Sequence, residues 1–182
     1  MQNNCGGEGD LTEFFTKPAA GGIIERIIDG EVFILLQERN KGNDRENGFI
    51  EIPAGKIREF ESIYDCLRRE IWEETGLELT YIQGEKEAVI TEHNQYKVIN
   101  YTPFACAQNV DGDYPIMVQV FICRASGKAF RESNESRNIG WVSLNDLRKM
   151  LRDDEASFYP MHISTLKKYL NLKDTDRVSP NV

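Results

Sequence analysis

An α+β or αβα sandwich layout, built on a mixed sheet, is the fold this sequence predicts. Three observations predict it: β-branched and aliphatic runs of strand length, three stretches with helical spacing, and an order in which strands and helices neither alternate strictly nor segregate into halves. The chain has 182 residues, 40% of them apolar, which suffices for the core of one domain and is short for two.

Residues 1–17 open on a polar, glycine-rich stretch with little to bury, and read as an arm that is disordered or completed by a partner subunit of a homodimer. The folded domain is expected over 18–172. Its first strands, 23–28 and 32–37, flank Asp29-Gly30, a pair suited to the positive φ values of a tight hairpin. Residues 40–48 mix glycine with charges of both signs and read as an exposed loop, after which 49–52 form a short strand stopped by Pro53. Ile63, Leu67 and Ile71 follow at four-residue steps, with Ser62 as N-cap and Gly76 as the C-terminal stop, so 62–75 is a helix. Four further strands are expected at 88–92, 98–107, 116–123 and 139–143, with turn chemistry at Asp111-Gly112-Asp113 and Ser126-Gly127. Helices at 143–151 and 161–172 complete the layers, and the tail from 173, with Asp174 onward, is expected to fray.

Charge and composition remove several functions. Lysine and arginine number 22 against 30 acidic residues, a net charge of −8, the wrong sign for a footprint on nucleic acid or an anionic membrane. The longest apolar runs, such as 32–36 and 116–123, are too short to cross a bilayer. Cys5, Cys66, Cys106 and Cys123 show no CxxC pairing, and nothing ahead of them reads as a signal peptide, so reduced thiols in the cytoplasm are expected. His93 and His162 lack a partner at ligand or triad spacing and read as structural.

The chemistry concentrates in 55–77, GKIREFESIYDCLRREIWEETGL. On its helix Glu70, Glu73 and Glu74 stand at i, i+3 and i+4, an arc of about 100° that overlaps the sector of Ile63 and Leu67. The carboxylates therefore turn toward the protein body. Each pair would repel by roughly 1 kcal/mol even in bulk water, and by more when partly desolvated. Cations are needed, and an all-oxygen donor set suits Mg²⁺ or Mn²⁺. Arg69, next to the first glutamate, can donate a bidentate pair that orients a neighbouring carboxylate.

This stretch resembles the Nudix hydrolase signature GX5EX7REUXEEXGU, in which U is aliphatic. Gly55, Glu61, Arg69, Glu70, Ile71, Glu73, Glu74, Gly76 and Leu77 fill every defined place. The aliphatic strand pair, Ile52-Pro53-Ala54-Gly55 and Gly140-Trp141-Val142-Ser143-Leu144 also look like the family's framework. The resemblance implies a sheet between helices with a loop–helix–loop metal box. Glu70, Glu73 and Glu74 would hold the divalent ion, Glu61 would join at one remove, the Ala54 carbonyl is a further ligand, and Arg69 orients the set. Glu135, six residues before Trp141, matches a loop glutamate that some members use as ligand or general base, with Glu132 a competitor and Glu73 the alternative base. Phe60 replaces a glycine common in the family and reads as a loop residue capping the core; Cys66 stands where a small residue is usual.

The implied reaction is hydrolysis of a nucleoside diphosphate linked to another moiety. Ile-Pro-Ala-Gly leans toward ADP-ribose or another nucleotide sugar, although the proline common downstream of the box in ADP-ribose members is absent, Glu92 and His93 standing there. The segment from Leu35 to Arg39, with Arg45 and Gly48, bears a loose likeness to coenzyme A members. Arg39, Arg45 and Tyr96 are the candidate substrate contacts, with Tyr101 and Tyr114 as further stacking surfaces. The other readings are a housecleaning hydrolase of (d)NTPs and a non-catalytic module that senses ligand or binds RNA.

Overall fold

A computed structural model describes residues 14–41 and 45–178. β1 (Lys17–Ile28) and β2 (Glu31–Arg39) pair antiparallel through a two-residue turn. Asp29 and Gly30 both take positive φ there, 50° and 82°, as the mirror-image hairpin turn requires. β3 (Ile50–Glu51) adds to β2, and β4 (Ala54–Lys56) folds back on β1 immediately before α1 (Ile63–Thr75). β5 (Glu78–Ile82), β6 (Val89–His93), β7 (Tyr96–Asn100), β8 (Ala105–Gln108), β9 (Ile116–Ser126) and β10 (Ser136–Ser143) follow, then α2 (Leu144–Asp153) and α3 (Pro160–Val178).

The main sheet runs β10-β2-β1-β9-β5, with β3, β4 and β8 attached alongside. It is mixed, because β1 and β9 pair parallel while its other pairings are antiparallel. Alternation along β1 splits the core into two layers. Ala19 and Ile23 face the side where Leu144, Leu147, Leu151, Leu166 and Tyr169 of α2 and α3 pack. Ala20 and Ile24 face Ile63, Leu67 and Ile71 of α1. The expected sandwich of helices on both faces of a mixed sheet is what forms. Gly22 lets α1 sit close: a Cβ there would lie 2.7 Å from the Ile71 Cδ1.

Several expectations are corrected. β1 begins at Lys17, inside the stretch assigned to the arm; residues 1–13 lie outside the described residues. The strand expected over 98–107 is two strands, since Pro103 cannot donate to a ladder; β7 pairs only with β6 in a separate two-stranded sheet and β8 pairs with β9. β4 and β5 were not foreseen. The tail expected to fray from Asp174 continues as helix to Val178, tied down where Lys173 Nζ meets Glu25 Oε1 at 2.6 Å and where Arg148 bonds Asp174. Phe60 caps no core; it is fully exposed at φ 58°. Among the described residues no helix is long and apolar enough to cross a membrane.

Candidate active site

α1 starts and stops where its caps dictate. Ser62 Oγ accepts from the Asp65 N–H at 3.1 Å, and Gly76 closes the helix at φ 72°, donating its N–H to the Trp72 carbonyl. β4 leads into the helix from below, so Gly55 faces Glu70: a Cβ at Gly55 would fall 1.8 Å from the Glu70 Cδ. Only glycine lets that carboxylate lie on the strand.

The carboxylates of α1 meet two sets of partners. Arg69 donates Nε to Glu61 Oε1 at 2.7 Å and one terminal nitrogen to Glu61 Oε2 at 2.8 Å, while the other reaches Glu70 Oε1 at 2.5 Å and Glu73 Oε2 at 3.2 Å. The guanidinium beside it, joined by the Arg58 N–H, holds the Glu61 carboxyl down at about 2, and Glu61 in turn raises Arg69. Glu74 is buried. Its Oε2 accepts from Gln37 Nε2 at 2.8 Å and from the Ala54 N–H at 3.1 Å. Its Oε1 is sealed from solvent without a hydrogen-bond partner, the Lys41 ammonium standing 3.6 Å away. Burial pushes Glu74 up to about 8, against the pull of Lys41 and its two hydrogen bonds. Gln37 also reaches Glu51, a second buried acid that burial raises, paired with Arg39 at 3.5 Å.

Glu135 lies on the loop leading into β10, and its carboxylate bonds the Lys41 ammonium. Asn40 donates its N–H to the Glu135 carbonyl at 2.8 Å, which joins that loop to the end of β2. Burial opposes the charge on Lys41, but the Glu135 hydrogen bond and the Glu74 charge outweigh it and raise the ammonium pKa.

These groups open onto a cavity of about 520 Å³. Glu70, Glu73, Glu135, Arg69 and Ala54 line one part of it, Arg39, Lys41, Lys56 and Arg58 supply positive charge, and Tyr114 and Tyr159 supply aromatic wall. Lys17 Nζ stands 4.7 Å from the centre of the Tyr114 ring. A smaller adjoining hollow shares Glu70, Glu73 and Glu135 and adds Glu74. Thus the structure brings together Ala54, Glu61, Arg69, Glu70, Glu73, Glu74, Glu135 and Arg39. It does not bring in Tyr96, which is exposed at the turn of the β6–β7 hairpin, or Arg45, which faces solvent and pairs with Asp113 at 3.6 Å. Nor does Glu132 line either hollow. Tyr101 is taken up by core packing against Tyr64 and Phe121.

The donors suit a hard divalent ion. All are oxygens, Gly55 clears the space for the Glu70 carboxylate, and the buried Glu74 Oε1 has lone pairs that no hydrogen bond uses. Among the described residues no three acidic, histidine or cysteine side chains yet converge on a common point; Arg69 and Lys41 stand between them as internal counter-ions. Lys41, Gln37 and Glu51 were missed from sequence, though a lone glutamine and a lone glutamate inside apolar strands, Leu36-Gln37 and Ile50-Glu51-Ile52, were the available signal. His162, read as structural, is buried with Nδ1 accepting from the Ile52 N–H at 3.3 Å, and burial lowers it to about 3. Burial also pushes the Cys66 thiol up to about 12, which leaves it a poor nucleophile.

Comparison with known proteins bears on the fold and the family. No curated protein matches the chain. Among solved structures, the NUDIX domain of Shewanella oneidensis NrtR in complex with ADP ribose superposes with a TM-score of 0.63 at 14% identity, over 92% of this chain and 91% of that one. A MutT NUDIX hydrolase from Burkholderia pseudomallei gives 0.51 at 24% identity, over 71% and 84%. A C. elegans Ap4A hydrolase binary complex gives 0.52 at 17% identity, over 87% and 98%. At such identities these likenesses carry the fold alone. The family model described as the NUDIX domain matches residues 16–162, and with that match spanning most of its length, the chain belongs to the Nudix family.

Proposed function

We propose that this Nudix-type pyrophosphohydrolase cleaves the diphosphate linkage of a nucleotide sugar, ADP-ribose being the first candidate, with Mg²⁺ or Mn²⁺ held by Glu70, Glu73 and Glu74. The observation that carries the reading is the continuity of the cavity, which joins the box carboxylates to a cationic and aromatic wall. A diphosphate flanked by two bulky groups needs that combination: charge neutralisation in the middle and stacking surface beside it. The Ile-Pro-Ala-Gly lead into the box supports the same substrate class, as does the fold shared with a domain solved with ADP ribose.

The divalent ion supplies charge neutralisation on the phosphate oxygens and acidifies water. The chain's own residues do the rest. Arg69 holds Glu70 and Glu73 at the cavity edge by charge-assisted bonds. Lys56 and Arg58, on the cavity wall, face the negative charge that grows on the leaving phosphate. Glu135 is the carboxylate proposed to accept the proton of the attacking water. Water oxygen bonds to one phosphorus, the bridging P–O bond breaks, and the second phosphate leaves with the bridging oxygen, giving two phosphomonoesters.

The test is a screen of ADP-ribose, other nucleotide sugars, dinucleoside polyphosphates, coenzyme A and (d)NTPs with Mg²⁺, with products identified by mass. AMP and ribose 5-phosphate from ADP-ribose is the expected result, abolished by EDTA and restored by Mg²⁺ or Mn²⁺. The likeness to MutT structures favours one second reading: turnover of (d)NTPs to monophosphate and pyrophosphate, with ADP-ribose untouched, would replace the first.

A further inference from the structure

We infer that Lys41 is an internal cation that fills the place between Glu74 and Glu135 in the metal-free protein and yields it when a divalent ion binds. The inference rests on the metal-dependent reading above. Its ammonium hydrogen-bonds the Glu135 carboxylate and stands 3.6 Å from Glu74 Oε1, the oxygen that is sealed from solvent without a hydrogen bond. The side chain is 27% exposed, so it can leave by way of the cavity whose wall it forms.

The bridge is built rather than incidental. Lys41 donates its N–H to Asn47 Oδ1 at 2.7 Å, and its neighbour Asn40 donates to the Glu135 carbonyl at 2.8 Å. The two backbones are thereby held side by side, and one lysine spans a buried acid on α1 and a half-exposed acid on the loop before β10. A lysine suits the task better than an arginine, because its compact charge on a flexible four-carbon stem can swing without disturbing a planar fork.

Ammonium and divalent ion cannot both be held at the Glu74 Oε1. An ion held by Glu70, Glu73 and Glu74 would take up the Glu74 oxygen that the ammonium faces and would repel that ammonium from it. The occupied lysine therefore competes with metal, and observed affinity is the intrinsic affinity reduced by the fraction of molecules in which the place is free. After exchange the ammonium faces the cavity, where a diphosphate brings negative charge. Lys41 is thus a positioning residue: it keeps Glu135 against the metal face before the ion arrives and is released toward substrate afterwards.

Calorimetric titration of wild type, Lys41→Met and Lys41→Arg with Mn²⁺ alone tests this without any activity readout. If lysine occupies the place about nine-tenths of the time, Lys41→Met binds Mn²⁺ about ten-fold tighter, while Lys41→Arg, which keeps the charge on a less readily displaced fork, binds no tighter than wild type. Equal or weaker binding by Lys41→Met overturns the inference, since a lysine needed only to build the site would lower affinity when lost. A second measurement needs no folded variant: the ¹⁵N ammonium resonance of Lys41 in wild type should shift on adding Mg²⁺ without substrate, and a stationary resonance is equally fatal. If wild type itself binds no Mn²⁺, the metal reading falls and takes this inference with it; if wild type binds and Lys41→Met binds no tighter, the lysine alone is at fault.

Discussion

The two charge clusters on α1 are built in opposite ways. Around Arg69, three carboxylates share one guanidinium, and Glu61 receives a bidentate pair. Around Glu74, a buried acid has two neutral donors and one ammonium beyond hydrogen-bond distance, leaving an oxygen with an ion pair but no hydrogen bond. The first arrangement satisfies itself. The second leaves a buried acceptor without a hydrogen bond, and a locally unfavourable arrangement of that kind persists where binding uses it. The difference separates the part of the box that holds geometry from the part prepared for a ligand.

The sharpest way to break that comparison is to remove charge without changing shape. Glu73→Gln and Glu74→Gln should each lower kcat by at least about 10², the scale of losing one electrostatic stabiliser. Glu74→Gln should nonetheless leave the Tm of the metal-free protein unchanged or higher, because a neutral amide escapes the cost that burial places on the carboxylate charge. Steady-state kinetics paired with calorimetry reads both, and normal turnover in either variant sinks the assignment.

Glu135→Gln comes next. If its carboxylate takes the proton, kcat should fall about ten-fold or more with KM nearly constant, and higher pH should restore part of the rate. A variant whose rate recovers with Mg²⁺ instead would make Glu135 a metal ligand, and unchanged kinetics would return the base to Glu73.

The clusters should also differ in the sign of their pH dependence, measured as Tm of the metal-free protein. Glu61 sits near 2 when folded against an ordinary 4.5, so its stabilisation is complete above pH 4.5 and is lost as pH falls toward 2. Glu74 sits near 8 against 4.5, so the folded state holds its proton more tightly and stability declines as pH rises from 4.5 to 8. Each slope is at most about 1.4 kcal/mol per pH unit. Arg69→Met should flatten the acid limb and Glu74→Gln the alkaline one; the reverse pattern would show that the clusters were misassigned.

The smallest expected effect lies outside both clusters. Tyr96→Ala and Arg45→Ala should change kcat/KM by less than about two-fold, as expected of surface positions away from the site. A large loss in either would mean that the cavity is not where substrate binds.

The box was legible because its logic is local. Helical geometry alone puts Glu70, Glu73 and Glu74 on one face, and the Ser62 and Gly76 caps act within a turn of themselves. The hairpin at Asp29-Gly30 is equally local. The strand expected over 98–107 failed because apolar content marks a strand without naming its partner, and Pro103 sends its two halves to different sheets. Tyr96 was preferred over Tyr114 for the same reason: both are aromatic residues near strands, and nothing in the chain order says which one the sheet carries to the cavity.

The sequence by itself determined the carboxylate pattern, the helix that displays it and the class of fold, since all three follow from spacing along a single element and from the period of apolar residues. Only the tertiary structure decided how those carboxylates are neutralised. Lys41, Gln37 and Glu51 come from β2, β3 and the loop between them, Glu135 from the approach to β10, and each meets α1 through sheet pairing across long stretches of chain. The burial that lifts Glu74 and leaves its Oε1 without a partner exists only once those strands close over the helix.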